Sequence, residues 1–134
     1  VWEVKDSVVG GGSDYNDLNN VNNTYAWSAG SPWKETGSAY FSFLLGLNSF
    51  YFAGSYGWRL PTLEELQSIV LDFPCTLQSC SCGSHPCIDG AFGYTKADLY
   101  WSSTTYQPTP SIAWLVDFGP GSVSAYFLGK TNID

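Results

Sequence analysis

The arrangement of apolar and polar positions divides the chain into segments of different period. VWEVK, Val1 to Lys5, alternates and is rich in β formers, which predicts an opening strand. Residues 10–24, GGGSDYNDLNNVNNT, are rich in Gly, Asp and Asn and predict a long polar loop. YAWS, Tyr25 to Ser28, reads as a short strand, and residues 30–37 read as a second loop. From Ser38 to about Asn48, Phe41, Leu44, Leu45 and Leu47 recur at helix-compatible spacing. The aromatics and Gly46 there predict a short, buried helix rather than a surface one, and FAGSYG breaks it.

A second helix is predicted from Thr62. Thr62 followed by Glu65 makes the T-x-x-E capping box, and Glu64 and Glu65 in the first turn favour the helix dipole. Leu63, Leu66, Ile69 and Val70 supply its apolar stripe; Asp72, Phe73 and Pro74 end it. LYWSSTTY, SIAWLVDFG and SVSAYFLG then read as three β segments separated by QPTP and GPG turns, the last two as a hairpin. Strand, loop, two helices, a cysteine-rich loop and antiparallel strands make an α+β pattern without internal repeat.

Composition narrows the partners. The chain has 134 residues, which suits one domain, and 44% of them are apolar, enough for a core. Only 13% are charged, so Ser, Thr, Asn and Gly carry the solubility, as in extracellular loop-rich domains. The net charge of −7 sets aside nucleic acid and anionic lipid surfaces as partners. No stretch approaches the roughly 20 apolar residues of a membrane span. The opening VWEVKD has no signal-peptide pattern and reads as a strand already in progress, as in a mature product or an excised module.

Cys75, Cys80, Cys82 and Cys87 all fall in CTLQSCSCGSHPC. Disulfides stapling a loop in an oxidising compartment compete with a thiolate zinc site that includes His85. The C-x4-C-x-C-x4-C spacing lacks C-x2-C knuckles, which favours disulfides. Cys80–Cys82 would close a strained small ring, so Cys75 pairs with Cys80 or Cys82 and Cys87 takes the other.

Several segments together carry a family resemblance: VWEVK, NNTYAWS, LNSFYFAGSYGWRLPTLEELQSIV, CIDGAFGYT, YWSSTTY and SIAWLVDFGPGSV. The chain resembles the bacterial Lcl C-terminal-type domain, over nearly its whole length. The W-R-L-P-T-x-x-E-L block followed by Y-W-S-S-T is specific. The resemblance implies a C-type-lectin-like fold on the formylglycine-generating-enzyme side, with two helices packed on a small antiparallel sheet. Three departures stand out. Gly57 replaces the usual Asp before W-R-L-P, Gly90 replaces the Pro after C-I-D, and GKTNID stands where members close with a Y-V-R-x-V-R strand. That last departure implies an open sheet edge, unless the strand is removed or supplied by a neighbour. Characterised relatives act on bacterial surfaces and in secreted proteins, bind ligands including sulfated glycans, and serve adhesion. No common catalysis is implied.

Each candidate for chemistry has a plainer rival. Arg59, the only arginine, stands between Trp58 and Leu60 beside the capped helix. The favoured reading is an internal clamp, with Glu64, Glu65 or Asp117 as carboxylate partner and Trp58 as stacking surface. Its loss is then expected to strand a buried carboxylate. The DYNDLNN run offers oxygens for calcium at Asp14, Asn16, Asp17 and Asn19. Leu18 breaks the EF-hand pattern, so an Asx-turn loop is favoured and no cofactor is expected. Asn22 opens an N-N-T sequon. Trp58, Trp101 and Trp114 are assigned to the core. Tyr106, Tyr126 and Phe127, with Ser111, Ser122 and Ser124, are the ligand-contact candidates.

The expectation is a non-catalytic extracellular or cell-surface recognition domain, binding a glycan or protein ligand through its C-terminal strands and loops. The alternative is a structural subunit of a surface oligomer or filament, through self-association. An enzyme of the formylglycine-generating kind comes third, because the only histidine and all cysteines crowd one loop.

Overall fold

The last three apolar runs form the sheet that organises the molecule. The computed structural model describes residues 1–6, 8–71, 86–118 and 125–131, with residues 125–128 described by backbone alone. Strands β1 (Leu99–Thr105), β2 (Ile112–Asp117) and β3 (Ala125–Gly129) are antiparallel in the order β1-β2-β3. Alternation on β2 sends side chains to both faces, and both faces are covered. Ala113 and Leu115 join Trp27 and Trp101 in one core cluster; Val116 and Phe118 join Leu66, Val70, Cys87 and Ile88 in the other.

Register is continuous from β2 to β3 but shifts between Trp101 and Thr105 of β1. The irregular stretch has a use. Ser102 Oγ donates to the Trp114 carbonyl, and Thr104 Oγ1 accepts from the Leu63 amide at 3.1 Å. The Ser103 amide donates to the Pro61 carbonyl at 2.8 Å. A shifted β1 thus docks the start of helix α2 (Leu63–Gln67) on the sheet. The capping box is present in full: Thr62 accepts from the Glu65 amide, and the Glu65 carboxylate accepts from the Thr62 amide. Helix α2 is shorter than its apolar stripe predicts. Ser68 Oγ bonds the Glu65 carbonyl, and Val70 leaves the helix to bridge Ile88. Leu66 and Val70 still reach one core, with Leu63 and Ile69 at its margin. The predicted stop at Asp72–Pro74 lies outside the described residues.

The first helical segment exists as predicted but is not regular. A π-helical run, Ala39–Leu44, leads into helix α1, Leu45–Ser49. Its sequence predicts burial, yet only Ala39, Leu44 and Leu47 are buried, whereas Phe41 and Leu45 face solvent. Two glycines allow its close seating. A Cβ on Gly37 would lie 2.5 Å from the Trp27 carbonyl carbon, and one on Gly46 would meet the Leu18 side chain at the same distance.

Two predicted strands are not strands. Lys5 makes one parallel bridge to Gly93, and YAWS contributes a single bridge residue, Ala26. The alternation in VWEVK instead splits side chains between the core, where Trp2 packs, and a partly buried ion pair of Glu3 and Lys5. The polar loop is as expected, and its amide side chains build it from within. Asp14 and Asp17 Oδ1 accept from the amides two residues on, and Asn23 Nδ2 donates to the carbonyls of both. Asn22, the sequon residue, is buried, with Nδ2 committed to the Val8 carbonyl and Asn20.

Candidate ligand cleft

The N-terminal segment, the α1 region, the loop before α2 and residues 92–101 surround a cleft of about 690 Å³. Its walls are mostly apolar and aromatic, including Trp2, Tyr25, Phe43, Trp58 and Tyr100. Asn48 sets the α1 wall against the following loop. Its Oδ1 accepts from the Trp58 amide and its Nδ2 donates to the Trp58 carbonyl, both at 2.9 Å. Trp58 Nε1 is satisfied by the Phe52 carbonyl.

A partly buried ion pair stands in the lining. Glu3 and Lys5 are two apart in an alternating segment, so their side chains leave the same side. Lys5 Nζ lies 3.2 Å from Glu3 Oε2, donates to the Leu18 carbonyl at 3.0 Å, and sits 4.3 Å from the Phe43 ring centre. Burial raises the Glu3 pKa and lowers that of Lys5, each against the pull of its partner. Glu3 Oε1 is buried with no hydrogen-bond partner among the described residues. Tyr100 bonds the Lys96 carbonyl, and burial pushes its phenol up to about 12.

Arg59 also lines the cleft, but not as an internal clamp. It is exposed, forks onto Glu65 at 2.8 and 2.6 Å, and donates to its neighbour's carbonyl, that of Leu60. The expected partner Glu65 is correct; the expected buried carboxylate is not. An arginine can reach Glu65 from the loop before the helix without turning inward, so the pair stays at the surface. The Arg59 fork, then the Thr62 amide, hold the Glu65 carboxyl down at about 2, from an ordinary 4.5. A depressed carboxyl contributes stability that is complete above its unfolded value and is lost as pH falls through the folded one. Glu65→Gln should therefore flatten the acid limb of stability between about pH 4.5 and 2. Circular dichroism along an acid titration checks this, and an unchanged limb refutes it.

Among the described residues the most deeply buried cation is Lys130, for which the sequence pattern predicts no role. It is 2% exposed, donates to the Trp33 carbonyl at 3.0 Å and Thr105 Oγ1 at 2.8 Å, and lies 3.8 Å from the Trp27 ring centre. The available signal was scarcity: the chain has only five basic residues.

The other sequence candidates lie elsewhere. Trp101 is in the core as expected. Trp58 is half-buried at the cleft, and Trp114 is half-buried, edge-on to Tyr106 at 5.2 Å. Trp114 shares a face with Val116 but, unlike it, is not fully buried. Phe127 is the register partner of Trp114, and Tyr126 that of Leu115. Tyr106 and Ser111 do not line the cleft. Ser122 and Ser124 lie outside the described residues.

Cys87 is buried and is not a free thiol; Cys75, Cys80, Cys82 and His85 lie outside the described residues. Among the described residues, no group of three His, Cys, Asp or Glu side chains converges. Asp14 Oδ1 and Asp17 Oδ1, offered for calcium with Asn16, are used in Asx turns. No helix among the described residues is long and apolar enough to cross a membrane.

The chain matches no curated protein and no solved structure. The family model for the Lcl C-terminal domain matches residues 1–133. With its small α+β fold, the chain belongs to the Lcl C-terminal domain family.

Proposed function

We propose that this is a non-catalytic recognition domain of C-type-lectin-like fold, exposed on a cell surface or secreted, that takes its ligand in the cleft. The observation that carries this reading is the buried, unpartnered Glu3 Oε1 in the lining of a largely apolar concavity. A buried acceptor without a donor costs stability, so a ligand whose seating turns the Glu3 carboxylate toward the cleft gives it a hydrogen bond that the protein alone lacks. The titratable groups around the cleft favour binding over chemistry. Glu3 and Lys5, Arg59 and Glu65, and Lys96 and Asp98 are each engaged in ion pairs. Disulfides within the Cys75–Cys87 segment belong to this reading, as staples suited to an oxidising exterior.

Trp2 and Trp58 lie in the lining, so occupancy should change tryptophan emission. The test is a glycan and protein-partner screen read by fluorescence, repeated with Glu3→Gln and with Tyr106→Ala. Ligands of the cleft should weaken about tenfold with Glu3→Gln, the worth of one charged hydrogen bond, and be indifferent to Tyr106→Ala. The reverse pattern places the site on the hairpin and ends the cleft reading. Exposed Phe41 and Leu45, four residues apart near α1, favour a second reading, a structural subunit packed against copies of itself. Concentration-dependent light scattering tests it.

A further inference from the structure

Aromatic side chains from separated segments meet around the cleft, and they meet in pairs. Tyr25 and Phe43 lie with ring centres 5.2 Å apart and planes 33° apart. Trp2 stands edge-on to Phe92 at 6.1 Å, and Tyr100 edge-on to Phe118 at 4.9 Å. The wall also reaches both cores, touching Trp101 of one and Leu66 and Ile88 of the other. Its volume of about 690 Å³ falls within the roughly 300–1,000 Å³ of small-molecule sites, which share an apolar wall and few polar groups.

Charge decides what such a wall accepts. The charged side chains of the lining neutralise one another: Lys5 pairs with Glu3, Arg59 with Glu65, and Lys96 with Asp98. An ionic group entering the cleft gives up hydration and finds no uncommitted counter-charge among these side chains, so a charged ligand is penalised and an uncharged one is not. One polar atom is left to choose among uncharged ligands. Glu3 Oε1 lacks a donor among the described residues, and its ion-pair partner Lys5 lies over the Phe43 ring, so the carboxylate borders an aromatic wall. A ring seated there with an N–H or O–H at its edge draws the carboxylate toward the cleft and gains a charged hydrogen bond.

We infer that the cleft is a site for an uncharged, apolar aromatic small molecule that carries one N–H or O–H donor for Glu3. The inference rests on the recognition reading above and names the ligand class. The probe is N-phenylnaphthylamine, an uncharged fused-ring amine with a single N–H. It is titrated into the whole chain and read by its own fluorescence and by tryptophan quenching. Two analogues test charge and donor separately. Anilinonaphthalene sulfonate adds an anionic group to the same rings, and the N-methyl derivative removes the donor. The uncharged amine should bind at one saturable site, and the sulfonate at least about tenfold more weakly. N-methylation should cost about tenfold in wild type, the worth of one charged hydrogen bond, and less than about threefold in Glu3→Gln. Thr24→Phe and Thr95→Phe each place a ring into the cleft from a partly buried lining position. Each should lower the affinity for the amine about tenfold with an unchanged circular dichroism spectrum.

No saturable binding of the amine overturns the inference, as does a sulfonate that binds as tightly. So does an N-methyl derivative that matches the amine in wild type. Binding that both filled variants leave unchanged places the probe elsewhere and also overturns it. The recognition reading fails on different results. If the amine does not bind while the glycan and protein screen yields a ligand weakened by Glu3→Gln, the cleft reading stands and the aromatic class falls. If the amine binds as expected while no screened glycan or protein responds to Glu3→Gln, the aromatic class stands and glycan or protein recognition in the cleft falls.

Discussion

Lys130→Ala should destabilise the domain by about 3 kcal/mol. The Lys130 side chain is buried where β3 ends, and its ammonium joins three parts of the chain at once. It donates to the Trp33 carbonyl of the loop before α1 and to Thr105 at the end of β1, and it lies over the Trp27 ring. Truncation leaves a carbonyl and a hydroxyl without their donor and a void beside an indole. Trp33 itself sits at φ 63°, a left-handed conformation for a bulky residue, and the bond to Lys130 helps to hold it there. Lys130→Met keeps most of the volume and removes the desolvated charge, so it should cost less than half as much. Burial lowers the Lys130 pKa, whereas nearby Glu35 raises it. The folded state then sheds its proton before the unfolded state does, so this group makes stability rise with pH just below 10.5. Urea unfolding of wild type and Lys130→Met at neutral and alkaline pH isolates that effect, because other groups cancel in the difference. A Lys130→Ala protein within about 0.5 kcal/mol of wild type would refute the buried clamp.

Trp27→Ala should cost more, about 4 kcal/mol, and for a domain whose whole stability is about 5–15 kcal/mol it should leave a substantially unfolded population. Trp27 is 1% exposed between Lys130 and the edge of Tyr40. Its indole N–H donates to the Ser102 carbonyl, and the Trp101 indole N–H donates back to the Tyr25 carbonyl, both at 2.9 Å. These reciprocal bonds tie a segment that forms no strand to β1. Trp27→Phe should recover most of the packing and lose the hydrogen bond. In a double-mutant cycle, Trp27→Phe and Lys130→Met should be non-additive by roughly 1 kcal/mol, since each removes part of one cation–ring contact. Additive costs in urea unfolding would show that the ammonium and the indole act independently.

The capping box of Thr62 and Glu65, the three strands and the Asx-turn loop were legible, because partners a few residues apart decide them. VWEVK alternates yet makes only one bridge, because alternation shows only that two sides differ. It cannot say that one side is an ion pair beneath Leu18 rather than a ladder partner. The apolar neighbours of Arg59 predict burial, but a carboxylate six residues on is near enough to hold it at the surface. The cleft itself was not legible, since Glu3, Phe43, Trp58 and Tyr100 come from four separated segments.

Membership in the family, an α+β build, the acidic charge and the positions of helix start and strand triplet were determined by the order of residues alone. All of them rest on local periodicity, local hydrogen bonding or summed charge. Which cation is buried, which tryptophan is the centre of a core and which carboxylate oxygen lacks a partner were decided only by the tertiary structure. Burial is a property of what packs around a group. For Lys130 those neighbours are 25 and 97 positions away in the chain.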